Sequence, residues 1–223
     1  LGLRRTFQTD QIADDLTLWQ NVEAVADHAG FAQAADAKAA VAGAIEYVGL
    51  TRRTHRRGSD LSTQERHLAE IAKALIGRPG LVMLDEPGAG MSEAESAHLE
   101  KVIRGIPGFC GAQVFLIDHD VALISACCEE TIVLDFGQLL ALAPTASVLQ
   151  DTIRRGHGMT SKAPLQIDNL VMVRGTKAVV HGIKLQVAPG AITALMGPNG
   201  AGKTSTVLGI AGAVEPAFGK ILL

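Results

Sequence analysis

The sequence predicts an α/β protein with a parallel-sheet core, an antiparallel β segment and an α-helical subdomain. Three observations carry that prediction. Gly197-Pro-Asn-Gly-Ala-Gly-Lys-Thr-Ser205 is a glycine-rich stretch placed between an apolar run, Ala191 to Met196, and a proline-free segment of helical spacing, Thr204 to Ala211. Two further apolar runs, Leu81–Leu84 and Gln113–Ile117, end in acids, Asp85-Glu86 and Asp118-His119-Asp120. Strands that deliver polar groups at their C-terminal ends are where open α/β sheets place ligand chemistry. The third observation is the segment between Leu16 and Ala74, alanine-rich as far as Leu50, whose apolar residues recur at helical intervals.

Gly197–Ser205 fits the phosphate-loop pattern G-x-x-x-x-G-K-[ST] at every fixed position. Gly197, Gly200 and Gly202 allow the backbone to turn its N–H groups inward, and Pro198, Asn199 and Ala201 complete the loop. The following helix adds its unpaired N-terminal donors and the positive end of its dipole. Lys203 is the expected point charge for the β- and γ-phosphates, the Thr204 hydroxyl the expected Mg²⁺ ligand, and Ser205 closes the motif. ATP with Mg²⁺ is therefore the expected ligand.

Composition limits what surrounds this loop. A chain of 223 residues, 48% of them hydrophobic, can form one large domain or two small ones. No apolar run has the length of a bilayer-spanning helix, and Leu1-Gly-Leu-Arg-Arg5 is neither a starting methionine nor a signal peptide, as expected of a chain that begins mid-gene. A net charge of −3 argues against a dominant nucleic-acid surface. Cys110, Cys127 and Cys128 have neither metal-ligand spacing nor a disulfide framework, and read as core or surface thiols in a reducing compartment.

In chain order, Arg4–Gln8 is β-prone, and Leu16–His28 and Phe31–Leu50 supply two or three helices. Thr51–Gly58 is a basic connector. Ser62 and Glu65 form a capping-box pair ahead of the ladder Leu68, Ile71, Ala72 and Leu75. Thr131–Leu140 reads as a hairpin turning at Gly137, and Ala146–Ile153 as a short helix. Arg154–Pro164 lacks periodicity and reads as a linker. Leu165–Val173 and Val179–Val187 read as antiparallel strands, and a last strand opens at Ile221.

Together these residues resemble the ATP-binding cassette (ABC) ATPases, and more narrowly the ATPase subunits of branched-chain amino-acid uptake transporters. The resemblance extends over nearly the whole chain. It places Gln8 at the Q-loop glutamine, Leu61-Ser-Thr-Gln-Glu65 at the signature, Asp85 and Glu86 at Walker B and the catalytic glutamate, and His119 at the switch histidine. Gly88–Ser92 falls at the D-loop. It implies an ABC-type P-loop fold and an ATPase in which Glu86, His119 and Gln8 act on the attacking water. Asp85 and Gln8 would share the metal with Thr204. Membrane permease subunits and a second cassette would be the partners, at the inner face of the cell membrane. A soluble ABC ATPase, or a cassette that binds without hydrolysing, would share these motifs.

Three departures from the family pattern stand out. The phosphate loop follows the other motifs instead of preceding them. Residues 1–159 thus resemble the back of one cassette and 165–223 the front of another, joined by 160–164, in a fused tandem or a circularly permuted single cassette. The signature carries Thr63 and Gln64 where the family has glycines, although Ser62 is present. Arg174 precedes Gly175 where the family offers an aromatic ring to adenine.

Overall fold

A computed structural model describes residues 2–7, 10–149, 165–187 and 191–222. The chain divides into two compact units, Leu1–Ala112 and Gln113–Leu223.

In the first unit, β1 (Leu3–Arg5) runs parallel to β2 (Leu81–Asp85), with Leu3 opposite Leu81 and Arg5 opposite Met83. Every residue of β2 is buried, as its apolar run requires. The helices are α1 (Leu18–Ala26), α2 (Ala34–Tyr47), α3 (Thr63–Leu75) and α4 (Glu93–Cys110). The expected Ser62–Glu65 capping box is present at α3: the Ser62 hydroxyl accepts from the Glu65 N–H, and the Glu65 carboxylate accepts from the Ser62 N–H. Leu68, Ile71, Ala72 and Leu75 are buried, and α3 packs on α1 and α2 as well as on β1 and β2.

No helix was expected at Glu93–Cys110. Its signals are local: Ser92 and Glu95 form a capping box, and Leu99, Val102, Ile103 and Ile106 are buried at helical spacing. Gly105, Pro107 and Gly108 interrupt that spacing in the sequence, yet the helix continues through Pro107 to the left-handed Gly111. Packing compensates locally, because Tyr47 stacks on Phe109 and donates its hydroxyl to the Val102 carbonyl.

The second unit holds β3 (Gln113–Ile117), α5 (Val121–Cys127), β4 (Glu130–Asp135), β5 (Gln138–Pro144), α6 (Thr145–Leu149), β6 (Leu165–Arg174), β7 (Lys177–Val187), β8 (Ile192–Met196), α7 (Lys203–Ile210) and β9 (Phe218–Leu222). Four strands lie in the order β3-β8-β4-β5, the first three parallel and β5 antiparallel to β4. A second sheet, β7-β6-β9, is antiparallel. The last strand begins at Phe218, earlier than expected, because it pairs along β6 from Val171 to Gln166.

The division at residues 112 and 113 does not coincide with the boundary expected at 160–164. Hydrogen bonding is the reason: β8 lies between β3 and β4, so strands from both sides of the expected linker share one sheet. The linker itself, and the expected helical residues beyond Leu149, lie outside the described residues. Cys127 and Cys128 are buried and Cys110 is half-buried, and none of the three is in a disulfide.

Arg66, on α3, ties the first unit's polar segments together. Its guanidinium donates to Asp10 (3.0 Å), Asp14 (2.7 Å) and the carbonyls of Ile12 (3.1 Å) and Gly58 (2.8 Å). Burial alone would raise the Asp10 pKa, but the Arg66 hydrogen bond and charge and the Ile12 N–H hold it below the ordinary aspartate value. Arg66→Ala should therefore lower stability by about 2 kcal/mol in urea denaturation, since it leaves charge-assisted bonds unmade. A depressed carboxyl stabilises above its unfolded pKa of about 4 and loses that contribution as pH falls through the folded value. That part of the acid dependence should disappear in the variant.

Candidate functional site

Each unit presents its polar residues at the C-terminal ends of parallel strands. In the second unit β8 ends at Met196 and β3 at Ile117, with Ile117 opposite Leu195. Gly197 and His119 thus follow neighbouring strand ends, about 4.8 Å apart in the sheet direction. The strands are interior and apolar, so their polar continuations have only this edge on which to meet solvent.

Close packing of backbone shapes the loop. A Cβ on Gly197, at φ +152°, would lie 2.1 Å from the Leu134 carbonyl oxygen, and one on Gly202, at φ +95°, 2.7 Å from that of Val179. Only glycine admits both the conformation and the approach. The Ala201 N–H donates to the Pro198 carbonyl (3.1 Å), and the Ala201 carbonyl accepts from the Gly137 N–H (3.0 Å). α7 then starts at Lys203 with no side-chain cap and no acid in its first turn, leaving its N-terminal field uncompensated by side chains. Thr204 is exposed at that start, and Ser205 is half-buried.

Lys203 is 7% exposed. Its ammonium donates to the carbonyls of Gly197 (2.7 Å) and Pro198 (3.2 Å), and among the described residues no carboxylate forms an ion pair with it. A buried cation held only by neutral oxygens is under-compensated, and an anion in the loop would complete its coordination.

His119 is held by its neighbours. Asp118 Oδ1 accepts from the backbone N–H groups of His119 (2.7 Å) and Asp120 (3.0 Å), and Asp120 caps α5 by accepting from Ala122 and Leu123. The turn keeps the imidazole outward, 70% exposed.

In the first unit the Asp85 carboxylate, buried at the end of β2, pairs with Arg5 at 2.7 Å. Arg5 also lies over the Phe7 ring, 5.0 Å from its centroid. The Asp85 N–H donates to the Thr6 hydroxyl (3.2 Å), and the Thr6 N–H to the Met83 carbonyl. Sequence reasoning missed Arg5, because a partner 80 positions away is visible only once β1 and β2 pair. Glu86 follows at φ +48°, an uncommon conformation for a non-glycine residue and one that concentrates at functional positions. His67 Nδ1–H donates to the Pro87 carbonyl (2.9 Å), fixing that turn against α3. Asp85, Glu86 and Thr6 thus share one strand-end cleft, whereas Gln8 lies outside the described residues.

The signature segment forms the start of α3. Ser62 is the cap, and Thr63 and Gln64 are the first two helical residues. Burial would raise the Glu65 pKa, but the Ser62 N–H and the Arg53 guanidinium, 2.5 Å away, hold it below the usual carboxylate value. An ionised carboxylate therefore sits in the first turn.

The family model described as ABC transporter matches residues 2–89 and 180–223. The branched-chain amino-acid transport ATP-binding protein LivG of Salmonella typhimurium is 28% identical over 63% of this chain and 61% of its own. A ribose import ATP-binding protein of Rubrobacter xylanophilus is 26% identical over 100% of this chain and 46% of its own. The chain thus spans about half the length of the curated relatives it matches. Among solved structures, cbiO1 of Clostridium perfringens, part of the ABC transporter complex cbiONQ, superposes with a TM-score of 0.62 at 20% identity, covering 67% of this chain and 60% of its own. A dimeric ATP-binding cassette with ADP and Pi superposes with a TM-score of 0.57 at 18% identity, covering 65% and 63%. At such identities the structures speak for the fold alone.

The loop's geometry makes a graded prediction. Gly200, at φ +84°, has nothing within 4 Å of a built Cβ, so Gly200→Ala should cost only the left-handed penalty of about 1 kcal/mol. Gly197→Ala adds a backbone clash and should cost more than twice as much. Thermal melting of the two variants measures the difference; equal losses would contradict the packing described.

Proposed function

Because the chain belongs to the ABC transporter family, we propose that it binds and hydrolyses ATP to power an importer of branched-chain or related amino acids. The observation that carries the nucleotide reading is Lys203, a buried cation held on loop carbonyls at the open start of a helix. The substrate reading rests on the likeness to LivG.

In this proposal the N–H groups of 197–204 and the Lys203 ammonium bind the β- and γ-phosphates. Mg²⁺ binds through few protein ligands, several waters and the phosphates. The exposed Thr204 hydroxyl fits that requirement without a carboxylate cage, and among the described residues no cluster of three His, Cys, Asp or Glu suited to a metal occurs. When bound, the ion would neutralise triphosphate charge. Asp85 and Gln8 would serve the metal of the cassette that their strands belong to. Glu86 is assigned to polarise the attacking water, with His119 and Gln8 orienting it. Ser62 and its signature segment would face the phosphate loop of a partner cassette. Among the described residues no helix is long and apolar enough to cross a membrane, so separate permease subunits would carry the substrate and hold the ATPase at the membrane's inner face.

We further infer that residues 1–159 and 165–223 belong to two successive cassettes. Alignment with the ribose-import relative runs through 100% of the chain, with the phosphate loop last, whereas the LivG alignment covers 63%. The permuted single cassette is favoured by a different observation, the parallel pairing of β8 with both β3 and β4. The gene sequence flanking the segment decides between them: a phosphate loop upstream and a signature downstream support the tandem.

Equilibrium binding of MgATP tests the main reading. Lys203→Ala should weaken it at least tenfold, and unchanged affinity would overturn the proposal. In the full-length protein Glu86→Gln should retain binding and lose phosphate release. Replacing both Thr63 and Gln64 by glycine should raise turnover, because side chains at the start of α3 obstruct approach to its N–H groups.

A further inference from the structure

Thr51–Gly58 carries four arginines and a histidine and no acid, in a chain whose net charge is −3. The segment is not a loose connector. Its Thr54 and Arg56 carbonyls accept from the N–H groups of Trp19 (3.0 Å) and Leu18 (2.8 Å) at the start of α1, and Thr51–Arg53 closes into a 3-10 turn. Beside it, within the first unit, lies a cleft of about 290 Å³. Leu50 and Leu68 give this cleft buried apolar surface, and Arg52, Arg53, Gln64 and His98 give it polar groups. Apolar surface with a few convergent polar groups is the make-up of a small-ligand site, and the volume falls just under the usual range of about 300–1,000 Å³.

The polar groups have bonding capacity to spare. Arg52 is exposed and makes no hydrogen bond or ion pair among the described residues. Arg53 uses Nε on Glu65, which leaves the terminal N–H groups of its guanidinium for another partner. His98 Nε2–H donates to the Val48 carbonyl (3.2 Å), leaving Nδ1. The acid on the cleft does not oppose an anion, because Glu65 gives one oxygen to Arg53 and the other to the Ser62 N–H. Arg56 is close enough to act on the same carboxylate. Ser62 and Thr63, which open the signature helix, take no part in the lining.

We propose that this cleft binds a small organic dianion, a dicarboxylate or a phosphate ester, with Arg52 and Arg53 as its charge partners. Guanidinium forks hold carboxylate and phosphate oxygens in the same bidentate geometry, and the apolar surface of Leu50 and Leu68 suits a short carbon skeleton. Every residue that lines the site lies between positions 48 and 98, so the proposal stands apart from the phosphate loop and the nucleotide reading.

Isothermal titration of the full-length protein with succinate and with glycerol 3-phosphate tests the site, the phosphate ester being titrated into Lys203→Ala so that the phosphate loop does not contribute. Saturable binding of at least one is expected, and the one that binds identifies the charged group. Arg52→Gln, at an exposed position without contacts, should leave the melting temperature unchanged and weaken binding about tenfold. Arg53→Lys keeps a cation beside Glu65 but loses the fork, and should weaken binding by a similar factor. Succinate affinity should not change in Lys203→Ala; a loss there would put the anion on the phosphate loop and overturn the assignment. Failure of both anions to bind would also overturn it, as would unchanged affinity in either arginine variant.

Discussion

The Lys203 ammonium is carried into a loop where carbonyl oxygens, not carboxylates, receive it. That arrangement depends on the backbone of 197–202 being drawn tight, which in turn depends on Leu134 and Val179 approaching glycines at distances that no side chain would allow. Those approaches exist because β8 is seated between β3 and β4, with β7 close beside the turn between β4 and β5. Sheet register thereby sets the position of a charge. Its electrostatic cost is balanced only in part by neutral dipoles, so the loop is disposed toward an anion.

The strand-end acids of the first unit follow the opposite logic. Asp85 is buried with a cation of its own, Arg5, and a hydroxyl, Thr6, that accepts from its backbone. An isolated carboxylate at that depth would lose several kcal/mol of hydration, and the ion pair offsets part of it. Asp85 is thus a compensated charge and Lys203 an under-compensated one. Arg66 plays the compensating role on a larger scale, holding residues 10–14 against α3 through two carboxylates and the Ile12 carbonyl, and Gly58 through its own.

Much of the site was legible along the chain because its signals are local. The phosphate loop depends on glycine and lysine spacing within nine residues. The Ser62 cap needs only its partner at Glu65, and the acids of β2 are announced by the apolar run before them. α4 was equally local in its Ser92–Glu95 box, but Gly105, Pro107 and Gly108 masked its periodicity, and packing by Tyr47 and Phe109 outweighed their low helix propensity.

By itself the sequence determined the elements and the chemistry each carries: a loop that can wrap phosphate, a capped helix at the signature, and strands ending in acids. Only tertiary structure decided which of these meet. Arg5 reaches Asp85 across 80 positions, β8 joins strands numbered far before it, and the turn at Gly137 closes on the loop at Ala201. The physical reason is range. Capping, turn chemistry and periodicity act over a few residues, whereas ion pairs, sheet register and close backbone contact join residues through space, and no local pattern encodes them.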